Sequence, residues 1–250
     1  MALIEEFEKQ GVWLFRYRSV LPLVILFAGI LVHTYTLLNP QHFFIEGTHY
    51  EVYYTILCLM VSMAGLVLRV LTVGYTPANT SGRNVTTQIA DVLNTKGMYS
   101  MVRHPLYLGN FFMWLGPAML TGNWWFIASF CLLYWIYYER IMFAEEQFLR
   151  GKFGMDYLRW SQQTPPFFPR LKNYRKPAIR FSWKKVLKKE KNGLAAIFLI
   201  FAVFDIIEII LEEEGQPNYF YLGGCLITAM LYLILKYLKK RTKLLNEEGR

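Results

Sequence analysis

Cysteine and histidine are both scarce, with three of the first and four of the second in 250 residues. Cys58, Cys131 and Cys225 each lie inside an apolar run and show no metal-type spacing. That argues against a disulfide framework or a zinc site and reads them as small buried hydrophobes. His33, His42 and His49 show no ligand spacing, so no metal site is expected. There is no low-complexity segment and no internal repeat. The opening MALIEEFEKQGVWLFRYRSV carries three glutamates ahead of the apolar run and no small-residue cleavage site, unlike a cleaved signal peptide.

Charge is sparse as well, at 18% of residues, and it leans to one sign, with a formal net charge of +9. Such a balance suits nucleic acid or an anionic membrane surface. A hydrophobic share of 54% decides for the membrane and against nucleic acid.

What is abundant is long apolar sequence. A membrane-crossing helix needs about 20 mostly apolar residues. Six stretches approach this: roughly 20–38, 53–73, 106–121, 123–143, 193–211 and 219–238. The third is short and contains Gly116-Pro117, which favours a kink or tilt. Thr121-Gly122-Asn123 is a tight turn that makes the third and fourth spans an antiparallel hairpin. The fold class expected is therefore all-α, a polytopic integral membrane protein with about six spans.

Lysine and arginine are missing from every second loop. The 39–52 loop, the 121–123 turn and the 212–218 loop have none, and the last carries Glu212, Glu213 and Glu214. The 74–105 loop has Arg83, Lys96 and Arg103. Residues 144–192 hold thirteen Lys or Arg against four acids, and the tail adds Lys239, Lys240, Arg241, Lys243 and Arg250. The positive-inside bias then sets both termini on the cytoplasmic side. In 170–191, Ile179, Trp183, Val186 and Leu187 fall at helical spacing among basic residues. This predicts a basic amphipathic interfacial helix over 171–192, on an anionic leaflet. It divides a core, 1–170, from a two-helix C-terminal extension, 193–250.

Two motifs carry chemistry. The first, YSMVRHPLYLG (residues 99–109), places Arg103 and His104 just before Pro105. Proline suits the first turn of a helix, so both residues sit at a helix N-terminus, where free N–H groups attract carboxylate or phosphate. Arg103 adds a cationic fork. Gly109 permits close approach of another helix, and Tyr99 and Tyr107 supply ring faces or hydroxyls. The second motif, ERIMFAEEQFLRGKFGMDYLRW (139–160), continues the fourth span. The hairpin returns Glu145 and Glu146 to the membrane face that bears His104. A carboxylate there can accept ribose hydroxyls or pair with an ammonium group. Arg140 and Glu145 stand about 140° apart on an ideal helix and need not reach the same ligand atom.

These motifs, with the approach DVLNTKGMYS and the tail YLRWSQQTPPFFPRL, resemble the isoprenylcysteine carboxyl methyltransferases and the related phospholipid methyltransferases over about residues 55–170. The resemblance implies S-adenosylmethionine as the cofactor and a methyl group passed to a lipid or lipid-linked acceptor at the cytoplasmic face. Carried over by residue, it assigns Tyr99, Arg103, His104, Pro105, Leu106 and Tyr107 to the cofactor site. Backbone contacts come from Asp91, Val92, Leu93 and Asn94, and Glu145 holds the cofactor's polar end. It assigns Arg140 to the substrate, and Glu146 joins it as a catalytic candidate. An RHP-x-Y-x-G motif also occurs in NADPH-dependent membrane sterol reductases, which form the alternative. Glu145-Glu146 without a neighbouring cysteine favours methyl transfer.

Other residues suit blander roles. Arg69, near the inner end of the second span, reads as a snorkelling side chain. Asp205, Glu208 and Glu212 share one face toward the outer end of the fifth span, where either an interfacial or a substrate role fits. Trp124, Trp125, Tyr134, Trp135, Tyr137 and Tyr138 read as packing and belt residues. The GRN at 82–84 is a candidate cover over the cofactor.

Overall fold

The computed structural model describes residues 2–43, 45, 48–78, 80, 90–211, 216–247 and 249, with the side chains of Leu21 and His42 left aside. The GRN at 82–84 and Glu212 lie outside the described residues. The architecture is all-helical, and no strand occurs among the described residues. The helices are α1 (Leu3–Arg16), α2 (Leu21–Leu38), α3 (Glu51–Gly74), α4 (Met98–Met101), α5 (Pro105–Leu120), α6 (Trp124–Gln163), α7 (Trp183–Leu211) and α8 (Tyr219–Arg241). Four of them, α3, α6, α7 and α8, are long and apolar enough to cross a membrane, and Pro22–Leu38 is a shorter apolar helix. With α5, of 16 residues, helices stand at all six expected places. Large apolar side chains face outward, among them Phe27, Trp125, Leu226 and Ile227. Lipid, not water, is the solvent such a surface matches.

Small residues bring α3 and α5 together. A Cβ added at Gly65 would meet the Gly109 carbonyl and the Met113 amide at 2.5 Å, and one at Gly109 would meet Arg69 Cγ at 2.6 Å. Gly116 has no room for a side chain either, because Ser62 and the Cys58 carbonyl fill that space. Membrane helices lack a hydrophobic drive to associate and rely on such close contact. Gly122, at φ 62°, then turns the chain, and the Asn123 side chain accepts the Phe126 N–H at 3.1 Å to start α6. This is the expected hairpin.

Helix α1, which hydropathy alone does not single out, lies along α6. Gly11 admits the Arg140 carbonyl and Ala144, the Tyr137 hydroxyl donates to the Leu14 carbonyl at 3.0 Å, and Phe15 is buried in the core. Helix α6 runs well past the membrane segment and bends at Gly154 (φ 53°).

The interfacial helix expected over 171–192 forms only over its last ten residues, 183–192. Residues 171–173 make a single 3-10 turn, 174–182 are non-helical, and helix starts at Trp183 and continues unbroken into the span. Pro177 breaks the earlier part, since proline disfavours helix in the residue before it. The start of α7 then ties several parts together. The Lys185 ammonium donates to the carbonyls of Thr76 (2.6 Å) and Pro77 (2.9 Å), closing the end of α3. Ser182 bonds Glu247 of the tail, and the Ala78 N–H donates to the Gly249 carbonyl at 3.1 Å. At the other end of α7, the Asp205 carboxylate accepts the Asn218 N–H at 3.1 Å, which gives that acid a local role at the entry to α8.

Arg69 does not snorkel. Its Nε and Nη2 donate to both Glu190 carboxylate oxygens at 2.7 and 2.8 Å, and Nη1 donates to Asn110 Oδ1 at 2.6 Å. The fork joins α3, α5 and α7 in one buried polar knot. Removing one partner of a buried pair leaves the other charge uncompensated, at about 3 kcal/mol or more. Glu190→Leu should therefore lower the thermal unfolding midpoint of the detergent-solubilised protein. Adding Arg69→Met should recover most of the loss; an additive second loss would show that the pair is not the linkage.

Candidate active site

Pro105 opens α5 and His104 is its N-cap residue, with extended-side dihedrals of φ −120° and ψ 60°. The backbone there is held from outside the helix. Arg103 N–H donates to the Pro165 carbonyl at 2.8 Å and His104 N–H to the Pro166 carbonyl at 3.2 Å, and Arg170 N–H donates to Met101 at 2.9 Å. Farther back, Gly97 N–H donates to the Arg175 carbonyl at 2.8 Å, and the Ser100 hydroxyl accepts the Arg175 N–H at 2.9 Å. Gly97 sits at φ 62°, a conformation that favours glycine. Residues 164–175 thus form a strap along the first motif. Phe167 fastens it, buried against Phe111 and Trp135. The Trp160 indole adds a bond to the Tyr99 carbonyl at 3.1 Å.

The hairpin brings the two motifs into contact. His104 is 6% exposed. Its Nε2 lies 2.9 Å from Glu146 Oε1 and its Nδ1 lies 3.5 Å from Glu145 Oε2. Arg103 Nη1 donates to Glu146 Oε2 at 2.5 Å. Both ring nitrogens face carboxylates, which suits the doubly protonated imidazolium. Burial works against that charge, but the hydrogen bonds and charges of Glu145 and Glu146 outweigh it and raise the His104 pKa above its ordinary 6.5. For Glu146 burial again opposes ionisation, and His104 and Arg103 overcome it and lower its pKa below 4.5. Two cations and two carboxylates sum to zero, so the cluster tolerates the edge of an apolar region.

The groups are not equally committed. Glu146 is engaged by both Arg103 and His104, whereas Glu145 meets no arginine and takes the long contact from Nδ1 and the Tyr107 hydroxyl. Arg103 Nε and the Tyr157 hydroxyl are buried without a well-aligned hydrogen bond among the described residues, and the Tyr157 hydroxyl lies beside Glu146 and Arg103. Tyr107 stacks on His104 with ring centroids 5.7 Å apart, packs on Tyr138 at 4.9 Å, and faces Glu145 with its hydroxyl. Tyr134 donates to the Tyr107 carbonyl at 2.7 Å. Below these rings, Asn110 links Tyr138 to Arg69.

Of the residues singled out in the sequence, Arg103, His104, Tyr107, Glu145 and Glu146 converge, with Pro105 setting the helix start. Tyr99 is half-buried at the edge, within the influence of Glu145. Leu106 is half-buried, as are Leu93 and Asn94 in the non-helical chain before Gly97. Arg140 does not join them. Its guanidinium lies 3.5 Å from the Phe7 ring centroid and pairs with Glu139 at 2.9 Å, on the side of α6 that α1 covers. Tyr157 and Tyr138 enter the site without having been expected. Tyr157 stands eleven residues after Glu146 with the break at Gly154 between them, so helical spacing alone does not relate the two.

The pH dependence follows from the two shifts. The His104 contribution to stability is complete below 6.5 and is lost as pH rises through its higher folded pKa. The Glu146 contribution is complete above 4.5 and is lost as pH falls through its lower folded pKa. Unfolding midpoints of the wild type in detergent should therefore fall above pH 6.5 more steeply than those of His104→Gln. Parallel curves would contradict a charged His104.

Residues 53–156 match the family model for phospholipid methyltransferases. This segment holds most of α3, all of α4 and α5, most of α6 and all four charged groups. Protein-S-isoprenylcysteine O-methyltransferase of Schizosaccharomyces pombe is 38% identical over 79 residues, 31% of this chain and 33% of that protein. Its counterpart from Tribolium castaneum is 31% identical over 84 residues, 34% of this chain and 30% of that protein. The nickel-cobalt-cadmium resistance protein NccN of Alcaligenes xylosoxydans xylosoxydans is 31% identical over 117 residues, 47% of this chain and 52% of that protein. The chain thus spans from under a third to about half the length of these relatives. No solved structure matches it.

Proposed function

We propose, on the premise that residues 53–156 are a member of the phospholipid methyltransferase family, that the chain transfers a methyl group from S-adenosylmethionine to a lipid or lipid-linked acceptor at the cytoplasmic membrane face. The observation that carries this is His104 held between Glu145 and Glu146 beside Arg103.

The donor set suits such a cofactor. It has an ammonium, a carboxylate, a sulfonium and two ribose hydroxyls. Glu145, which no arginine engages, is the carboxylate available to an ammonium or ribose diol. Arg103, whose Nε makes no well-aligned hydrogen bond, is the cation available to a carboxylate. Glu146 is a positioning residue that holds Arg103 and His104 in register. Tyr107 and Tyr99 give ring faces beside the cluster, where a positively charged centre is attracted by π density. When bound, the sulfonium supplies an activated methyl group, so the protein's task is orientation and a matched electrostatic environment. A carboxylate acceptor needs no base. An amine acceptor must be unprotonated before it attacks. The apolar outer faces of the spans would admit a lipid tail sideways while the cofactor arrives from water.

Calorimetry on the detergent-solubilised protein should show binding of S-adenosylmethionine and none of NADPH. Glu145→Gln should weaken binding roughly tenfold or more by removing a charged acceptor, measured at a temperature where the variant, which also loses part of the charge balance around His104, is still folded. NADPH binding in place of S-adenosylmethionine would overturn the reading. Unaltered affinity in Glu145→Gln would overturn the assignment of that residue.

A further inference from the structure

The strap that clamps the first motif has an outer side that the proposed reaction does not use. Between Asp156 and Glu190 the chain contains no carboxylate side chain. Within this stretch FPRLKNYRK (168–176) alternates apolar and cationic residues. Phe168, Leu171 and Tyr174 are 73%, 75% and 56% exposed, and Arg170, Lys172 and Lys176 between them are exposed too. Exposed aromatic and aliphatic side chains at this density are unusual on a surface that meets only water.

The depth of the strap says what it meets. Phe168 stacks 6.2 Å from Trp135, and Phe167 sits edge-on to the same ring at 5.4 Å. Trp135 lies within the membrane-crossing part of α6 and is itself outward-facing, 39% exposed. Phe167 also packs on Phe111 of α5 at 5.9 Å. The strap therefore leaves the lipid-facing wall of the spans at Phe168, and the cations follow at the next positions, where headgroups begin. Aromatic residues favour that boundary, and lysine and arginine just beyond it favour lipid phosphates.

We propose that residues 168–176 dock on the anionic phospholipid headgroups of the adjoining leaflet, with Phe168, Leu171 and Tyr174 inserted and Arg170, Lys172 and Lys176 on the phosphates. The occupant is the bilayer itself. A zwitterionic leaflet offers a cation beside each phosphate, whereas net negative lipid meets a segment with no acid of its own and holds it more strongly. Because the backbone of this strap accepts the Arg103 and His104 N–H groups and donates to Met101, lipid docking also braces the charged cluster. The inference stands on the strap alone and does not depend on the reaction proposed above.

Hydrogen–deuterium exchange tests it on the full chain in nanodiscs, comparing phosphatidylcholine alone with a phosphatidylcholine–phosphatidylglycerol mixture. Peptides covering 168–176 should exchange roughly tenfold more slowly in the anionic discs. The difference should vanish in Arg170→Gln/Lys172→Gln/Lys176→Gln. It should also vanish for the wild type as salt is raised, because exposed charges are screened. Equal exchange in the two discs, or a difference that survives both the substitutions and salt, would overturn the proposal. The salt titration on the wild type decides the matter even if the triple variant does not fold.

Discussion

The candidate site is built on one contact: an imidazole inserted between two adjacent carboxylates, with an arginine closing the charge balance. Any one of these charges left alone at the rim of an apolar bundle would be costly to desolvate. Together they cancel, and the balance permits burial of His104 to 6% exposure. The contact joins residues about forty positions apart, so the elements between them must deliver it. Gly122 and Asn123 reverse the chain. Gly65, Gly109 and Gly116 seat α5 against α3. The length of α6 beyond the membrane carries Glu145 and Glu146 back to His104.

The segments outside the family match support this contact mechanically. The strap from 164 to 175 holds the backbone of Arg103 and His104. Glu190 of α7 fixes Arg69, whose Asn110 contact continues through Tyr138 and Tyr107 to the His104 ring. Lys185 closes the end of α3, where the chain departs toward the first motif. Helix α1 packs on the opposite side of α6 and takes Arg140 with it. This chain of contacts connects α7 to a site that its residues do not line.

Much of this was legible in the sequence, for physical reasons that differ by element. Apolar length marks spans, and Thr121-Gly122-Asn123 marks a turn, because both signals are local. The hairpin logic then places Glu145-Glu146 opposite Arg103-His104 without any structure. Local signals could not reveal that Arg69 pairs with Glu190, a partner 121 residues away, so the arginine resembled an ordinary snorkelling group. Arg140 illustrates another limit: the resemblance assigned it to the substrate, whereas its guanidinium lies over the Phe7 ring of α1, on a face about 140° from Glu145. Over 171–192, hydrophobic spacing suggested a single helix, whereas Pro177 confines the helix to the part after Trp183. Helical spacing is necessary for a helix, but a proline within it still has the stronger vote.

The central claim is that the cluster formed by these two motifs holds the methyl donor. Photo-crosslinking of radiolabelled S-adenosylmethionine to the full chain in nanodiscs, followed by peptide mapping, tests it most directly. The account predicts label on peptides containing residues 99–107 and 141–150, displaced by excess unlabelled S-adenosylmethionine. Displaceable label confined to other peptides, or no label under saturating cofactor, would contradict it.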